Sequence, residues 1–172
     1  IELGGADLAG ANGNSVYISG RYAYVIASTG NEFRIFDISN PASPIEVFGV
    51  DLGAVGRSVF VSGKYAYVGQ NNAGAGNDFR IFDISNPASP VELGGADLPS
   101  NNNDIYISGS YAYIVDVAAT GNEFRIYNIS NPASPIELGG SNIGATSNAV
   151  YVSGRYAYVA HNTIAGNDFR IF

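Results

Sequence analysis

The stretch Phe79-Arg-Ile-Phe-Asp-Ile-Ser-Asn-Pro-Ala-Ser-Pro90 decides the fold, because the chain repeats it. The same twelve residues occupy 33–44, and residues 124–135 differ from them at two positions. Another copy begins at Phe169 and continues to Phe172. Repetition at a period of about 45 residues is typical of repeat architectures. We therefore predict a single domain over 1–172, built from repeats 1–44, 45–90, 91–135 and 136–172.

The composition excludes several classes of chemistry. The 172 residues include no Cys, so a disulfide, a thiol nucleophile, an iron–sulfur cluster and a zinc–cysteine site are all impossible. With 46% hydrophobic residues the chain is not disordered. No apolar run approaches the roughly 18 residues of a transmembrane helix. We expect no cofactor and no metal, since the sequence has no Asp-rich calcium loop either.

The charge distribution disfavours nucleic acid as a partner. The net charge is −7, and the eight basic residues are scattered along the chain. Binding to nucleic acid needs a basic stripe that follows the phosphates, and an anionic membrane surface attracts the same feature. We therefore expect neither nucleic acid nor a membrane as a partner.

Each repeat has four strand-like runs and no helical periodicity. In the first repeat the runs are Ile1–Leu8, Ser15–Ser19, Tyr22–Ala27 and Phe33–Ser39. Between the second and third runs, Gly20 can adopt the positive φ of a tight hairpin. Repeats of this length with four strands each are typical of propeller blades. We therefore predict an all-β fold, a β-propeller of four-stranded antiparallel blades.

The Tyr-Ala-Tyr strand of the first repeat has a bulky face and a small face. Tyr22, Tyr24 and Ile26 point to one side, whereas Ala23 and Val25 point to the other. Both faces are largely apolar, which indicates that both are buried, because a sheet with one face in water has polar residues on that face. We predict that the large face of each blade packs on the small face of the next, so that each blade is stabilised by its neighbours.

Charged residues recur at fixed positions of the repeats. One arginine and one glutamate lie on adjacent predicted strands, where we expect each Arg to pair with a Glu across the strands. Asp37 and Asp83 end the third strand, and we expect them to accept hydrogen bonds from turn N–H groups, a role that Asn128 can share. The arginines are Arg34, Arg80, Arg125 and Arg170, and the glutamates are Glu2, Glu46, Glu92 and Glu137.

The block 79–90, preceded by Val61-Ser-Gly-Lys-Tyr-Ala-Tyr-Val68, resembles the LVIVD repeat, whose pattern is VSGxYAYVA…GLxIxDISNPxxP. The resemblance covers all four repeats, although Glu-Phe or Asp-Phe replaces the usual Gly-Leu of that family. It implies a β-propeller, and an extracellular or cell-surface location, because many members are secreted or surface-exposed. Such nearly identical repeats also indicate recent amplification or an engineered origin.

In the usual order of a blade, the chain begins with an outermost strand and ends with a third strand. Ile1–Leu8 can pair with Phe169–Phe172 of the same chain in a four-bladed ring. Alternatively, two chains can exchange these strands in an eight-bladed homodimer. We favour the homodimer, because the packing of Tyr on Ala predicts thin, closely stacked blades. The residues predicted to close the ring are Ile1, Leu3, Phe169 and Ile171.

One end of the predicted propeller varies among the repeats, whereas the turns at the other end are nearly constant. Tight turns are constrained whereas longer loops drift, and Asn is common in loops, so this variation can arise without a function. Alternatively, the variable end recognises a ligand, because rigid scaffolds bind partners through loops and Asn and Gln side chains suit hydroxyl-rich ligands. We expect His161 to be an exposed loop residue here. The variable loops are 9–14, 53–57, 99–104, 144–148, 28–31, 69–77, 115–122 and 160–167. The candidate binding residues are Asn12, Asn14, Arg57, Gln70, Asn71, Asn72, Asn101, Asn102, Asn103, Asp104, Asp116, His161 and Asn162.

These observations favour a non-catalytic scaffold that self-assembles and presents its variable loops to a protein partner. A carbohydrate-binding propeller is one alternative, and a hydrolase or lyase at the mouth of the channel is another. The enzyme is disfavoured, because nearly identical repeats do not supply the unlike groups that acid–base catalysis needs. We therefore expect no enzymatic activity and no catalytic residues.

Overall fold

The computed structural model describes residues 1–72, 74, 76–117, 121–162 and 166–172. These residues form fifteen β-strands. None of the described elements is a helix long and apolar enough to cross a membrane. The strands are β1 (Gly13–Ser19), β2 (Tyr22–Ala27), β3 (Phe33–Asp37), β4 (Ile45–Val50), β5 (Gly56–Ser62), β6 (Tyr65–Gln70), β7 (Phe79–Asp83), β8 (Val91–Ala96), β9 (Asn102–Ser108), β10 (Tyr111–Asp116), β11 (Phe124–Asn128), β12 (Ile136–Ser141), β13 (Ser147–Ser153), β14 (Tyr156–His161) and β15 (Phe169–Ile171).

Consecutive strands form antiparallel sheets in sequential order, as predicted for propeller blades. Blade 1 is β1–β4, blade 2 is β5–β8 and blade 3 is β9–β12, whereas blade 4 contains β13–β15 among the described residues. The predicted strand Tyr22–Ala27 is confirmed at both ends. The strand predicted at Ile1–Leu8 is wrong for the isolated chain, because this segment has no strand beside it to complete a hydrogen-bonded ladder.

The turns at the constant end of the blades follow from two residue types. Gly20 and its equivalents have φ values of 58°, 58°, 57° and 60°, which a residue with a β-carbon adopts only with strain. The predicted turn role of the acidic residues is also confirmed. The N–H of Ser39 donates to Asp37 Oδ1 at 2.9 Å, and the N–H of Ser130 donates to Asn128 Oδ1 at the same distance.

The large face of each blade packs on the small face of the next, as predicted. Between blades 1 and 2, Tyr24 and Phe33 share one buried cluster with Ala66 and Val68. The same arrangement recurs at the other two joints. Tyr67 and Phe79 of blade 2 share a cluster with Ala112 and Ile114 of blade 3, and Val115 and Phe124 of blade 3 share one with Ala157 and Val159 of blade 4.

The four blades stack one after another in what we call the arc, and their first strands lie side by side along its inner edge. β1 contacts β5, β5 contacts β9, and β9 contacts β13. One aromatic residue from each strand joins a continuous column, Tyr17–Phe60–Tyr106–Tyr151, with ring centroids 4.9, 5.1 and 4.8 Å apart. Tilted aromatic contacts at these distances are favourable beyond the burial of area. The blades are therefore joined through their inner strands as well as through their faces.

We predict that Phe79→Ala destabilises the protein by about 3–5 kcal/mol, because the ring is fully buried between blades 2 and 3. Ile136→Ala is the matched control, since this strand residue is 60% exposed, and we expect a change within about 0.5 kcal/mol. Urea titration followed by tyrosine fluorescence measures both. Equal effects of the two substitutions would contradict the stacked-blade core.

Candidate functional site

The predicted Arg–Glu pairs form inside each complete blade. Arg34 Nη1 lies 2.9 Å from Glu46 Oε2, and Arg125 Nη1 lies 2.9 Å from Glu137 Oε1. The pair of blade 2, Arg80 with Glu92, is longer at 3.5 Å. The remaining members of the series, Glu2 and Arg170, stand at opposite ends of the chain.

The variable end of the arc contains a set of buried polar residues that sequence patterns placed in loops. They are Gln70, Asp116 and His161, the sixth residues of the second strands of blades 2 to 4, and each pairs with the start of its first strand as Ala27 does in blade 1. The second strands of blades 2 to 4 therefore extend further than predicted, and their last side chains are buried. The predicted loops 69–77, 115–122 and 160–167 also include residues 73, 75, 118–120 and 163–165, which lie outside the described residues.

His161 is not the exposed loop residue that we expected. It ends β14 and is 3% exposed. Within the part of the chain that the structure describes, neither imidazole nitrogen has a hydrogen-bond partner, and neither does the hydroxyl of Ser147 opposite it. The prediction was wrong because His161 is the last residue of a strand, as Asp116 is in blade 3, and both side chains are buried. Among the described residues, no carboxylate accepts a hydrogen bond from this imidazole as the acid of a catalytic triad does.

Several candidate binding residues link neighbouring blades. Asn14 Nδ2 donates to the carbonyl of Gly56 at 2.7 Å, and Asn103 Nδ2 donates to the carbonyl of Ser147 at 2.8 Å. Asp104 Oδ2 accepts from the N–H of Val150 at 2.9 Å. These side chains therefore form hydrogen bonds between the first strands of neighbouring blades, a role that their amide and carboxylate groups suit.

Other candidates form contacts with one another or with neighbouring strand residues at the same end of the blades. Arg57 Nε donates to Asn71 Oδ1 at 2.6 Å, and the N–H of Asn72 donates to Asn101 Oδ1 at 2.9 Å. Asn102 is fully buried and accepts from the hydroxyl of Ser58 at 2.6 Å. The candidates that remain exposed at this end of the arc are Asn12, Asn14 and Asn162.

Buried acids at the start of the third strands were missed as functional residues. Glu32 Oε2 accepts from the N–H of Leu52 at 2.7 Å, and Glu123 Oε2 accepts from the N–H of Ile143 at 2.6 Å. Each ties its own blade to the chain that enters the next blade. Their signal in the sequence is the acid that directly precedes the Phe-Arg-Ile motif in every repeat.

Asp116 is a strongly perturbed acid at this end. Its Oδ2 lies 3.0 Å from Arg125 Nε, while its Oδ1 has no partner in the described part of the chain. Burial raises the pKa of Asp116 to about 7, and the opposing attraction of Arg125 does not cancel this effect. Over the described residues, no group of three His or acidic side chains is placed to hold a metal ion.

The first and last blades expose residues whose equivalents are buried in the interior blades. Val16 and Ile18 on the small face of blade 1 are 62% and 55% exposed, whereas their equivalents Val59 and Val61 are 6% and 4% exposed. On the large face of blade 4, Phe169 and Ile171 are 54% and 56% exposed, although Phe79 and Ile81 are fully buried. The chain thus ends in two unfilled halves of the joint that it forms three times internally.

Segment 1–8 contacts blade 1 in the same way that the outermost strand of one blade contacts the next blade. Arg34 Nη2 donates to the carbonyl of Leu8, as Arg80 Nη2 donates to the carbonyl of Leu52. Beneath the segment is an apolar groove of about 250 Å³, lined by Ala23, Val25, Phe36, Ile38 and Pro44 with Ala6 and Leu8. The equivalent surface of blade 2 is covered by Tyr24, Ile26, Phe33 and Ile35.

Gly5 stands where the other repeats need glycine. A β-carbon on the equivalent Gly95 would collide with the carbonyl oxygen of Phe79 and the side chain of Asn77. On Gly5, the nearest described atom would be Glu2 Oε1, at 3.3 Å. No described atom of this chain therefore requires glycine at position 5, whereas a third strand paired beside it would leave no room for a β-carbon.

Comparison with known proteins places the chain among repeat propellers. The model of the LVIVD repeat matches residues 10–52, 55–97, 100–142 and 144–168. No curated protein matches the sequence. A crystal structure of the computationally designed Ika4 protein is similar, with a TM-score of 0.76 and 11% identity over 100% of this chain and 97% of that chain. The periplasmic gluconolactonase of Pseudomonas aeruginosa, PpgL, also has a TM-score of 0.76, with 15% identity over 94% of this chain and 50% of that chain.

We predict that Asp116 makes stability depend on pH. Because its pKa is raised in the folded state, its contribution is fully present below the unfolded pKa and is lost as the pH rises through about 7. Asp116→Asn removes this loss. Between about pH 5 and about pH 8, the free energy of unfolding of the variant should therefore rise relative to that of the wild type by on the order of a few kcal/mol. Urea titrations at several pH values measure the difference.

The control is Asp37→Asn, which copies the asparagine found at position 128. The pKa of Asp37 is lowered, chiefly by hydrogen bonds from Ser39, so its contribution is already complete above about pH 5. This variant should therefore follow the wild-type profile at higher pH. Parallel profiles for Asp116→Asn and the wild type would refute the assignment.

Proposed function

Because the chain belongs to the LVIVD repeat family and its repeats stack as propeller blades, we propose that it is a non-catalytic scaffold that joins a second copy to complete a ring. The observation that supports this most strongly is the pair of unfilled ends. Each is a surface that the chain itself buries three times between its own blades. A second copy of the chain therefore presents the surfaces that match these two ends in shape and chemistry.

In the proposed joint, the large face of blade 4 covers the small face of blade 1 of the other copy. Phe169 and Ile171 then fill the groove beside Ala23 and Val25, as Phe33 and Ile35 fill the equivalent place on blade 2. Burying a large apolar side chain contributes about 1.5–3 kcal/mol. Several such residues at each joint supply the main driving force for assembly.

The same joint completes the unfinished sheet. Segment 1–8 of one copy lies beside β15 of the other, where β4, β8 and β12 lie beside their third strands. This pairing places Glu2 near Arg170, Gly5 against Phe169, and Tyr151 in line with Tyr17 of the other copy. An exposed strand edge is thereby covered, which also limits uncontrolled association.

The number of copies follows from the size range of propellers. One chain supplies four blades, but its two ends remain exposed in the single chain. Propellers have about four to eight blades, so two chains give the largest common ring. The joint is heterologous, and such joints make rings when the rotation closes.

The variable end of the ring is the surface that we propose for a protein partner. The exposed amide side chains Asn12, Asn14 and Asn162 lie at this end, and its loops differ between blades while the frame beneath them is constant. In the proposed homodimer the same loops occur twice, on one side of the ring. A partner with two matching sites gains from this arrangement, because the second contact becomes intramolecular.

We predict that Gly5→Val blocks assembly, because the added side chain meets the carbonyl oxygen of Phe169 in the proposed joint. The single chain should keep its fold, since among the described residues a β-carbon on Gly5 meets only the flexible end of the Glu2 side chain. Ala6→Val is the matched control, because the equivalent residue of blade 1 is Val50. Sedimentation velocity measures the assembled fraction, and circular dichroism checks the fold.

We expect the Gly5→Val variant to remain a monomer where wild type and Ala6→Val are both assembled. Assembly of Gly5→Val at the wild-type concentration would show that segment 1–8 does not pair with β15. Loss of assembly in both variants would show that the segment tolerates no added bulk, which contradicts the equivalence with β4.

We predict that reversing one charge at the joint weakens assembly and that reversing both restores it. Arg170→Glu opposes two carboxylates, which should raise the dissociation constant by about tenfold. The double variant Glu2→Arg with Arg170→Glu recovers the opposite charges. Both variants lose the bond from Arg170 to the carbonyl of Ile143, so rescue isolates the contact between copies. Absence of rescue in sedimentation equilibrium would contradict the pairing of these two residues.

A further inference from the structure

The constant end of the arc differs in one blade. In blade 1 the turn residue Arg21 lies 2.6 Å from Asp37 and stands over the ring of Tyr22. In blade 2 Lys64 repeats this arrangement, 3.1 Å from Asp83 and over the ring of Tyr65. Each of these cations is therefore held between the acid of its own blade and the tyrosine that follows it.

Blade 3 has lost both members of this ion pair. Ser110 stands where blades 1, 2 and 4 have Arg21, Lys64 and Arg155, and Asn128 replaces the aspartate. Asn128 still accepts the turn hydrogen bond from Ser130 at 2.9 Å, so the turn keeps its shape. The change therefore removes a long charged side chain without altering the backbone.

A groove lies beside Ser110, between the turns of blades 2 and 3. Its volume is about 390 Å³, and Gly109, Ser110 and Ser130 of blade 3 form one of its walls. This volume is at the lower end of the size range of small-molecule sites, about 300–1,000 Å³. It has room for one sugar ring.

Hydroxyl groups dominate the polar lining of this groove. Ser62, Ser110 and Ser130 line it together with Tyr65 and Tyr67. Each of these hydroxyls can donate and accept, as the hydroxyls of a sugar do. Aromatic rings offer apolar faces beside a polar tip, which matches the mixed surface of a pyranose.

The charges at the groove favour a neutral ligand. Lys64 also lines the groove, but its ammonium group is paired with Asp83 at 3.1 Å. No other charged residue lies among its described lining residues. We propose that this groove is a binding site for a neutral, monosaccharide-sized polyol such as a hexose.

The site is independent of ring closure, because it lies between interior blades of one chain. It is also distinct from the variable loops, which lie at the opposite end of the blades. Binding at this groove would add a recognition function to the scaffold, and its failure would leave the proposed assembly untouched.

The test is saturation-transfer difference NMR with a panel of methyl glycosides of glucose, galactose, mannose and N-acetylglucosamine. We expect transfer from the wild-type protein to at least one of these probes. The double variant Ser62→Ala with Ser130→Ala should raise the dissociation constant at least tenfold, since it removes hydroxyls without adding bulk. Ser110→Arg should do the same by giving the wall the side chain that blade 4 has.

The matched control is Ser19→Ala with Ser85→Ala, which removes the equivalent hydroxyls between blades 1 and 2. It should bind as the wild type does, as should Asn12→Ala at the loop end. Circular dichroism and the mass in solution should be unchanged for all variants. No transfer to any probe, or equal binding by the wild type and both groove variants, would overturn the proposal. Loss of binding in Asn12→Ala alone would also overturn it, because the site would then lie in the loops.

Discussion

The structure depends on the packing of one large apolar face on one small apolar face. Tyr24, Ile26 and Phe33 fill the space above Ala66 and Val68 at the first joint, and equivalent residues do so at the next two. A single blade would leave both faces in water, so its stability comes from its neighbours. The exposed faces of the first and last blades follow from this requirement, because each lacks the neighbour that covers the equivalent face inside the chain.

Polar groups set the alignment of the stacked blades. Arginines of the third strand donate to the chain entering their own blade, as Arg80 does to Leu52, and buried acids such as Glu32 accept from the chain leaving theirs. Asn14 and Asn103 tie the first strands together. Because these contacts are directional, they fix which blade follows which, whereas the apolar faces alone would tolerate sliding.

The sequence predicted well what is local to one repeat. The limits of Tyr22–Ala27, the glycine turns and the turn role of Asp37 depend on residues close in the chain, and all were confirmed. Burial at the variable end depends on the neighbouring blade, so His161 was placed wrongly in a loop. The strand predicted at Ile1–Leu8 failed for the same reason, because strand geometry needs a partner that the single chain does not place there.

The most direct test of this account is the mass of the protein in solution, measured by multi-angle light scattering over a dilution series. The chain has a mass of 18.0 kDa. A closed ring of two chains predicts a species of twice that mass, which dissociates on dilution without larger intermediates. A species of 18.0 kDa at every concentration, or a mass that grows steadily with concentration, would contradict closure of the ring by a second copy.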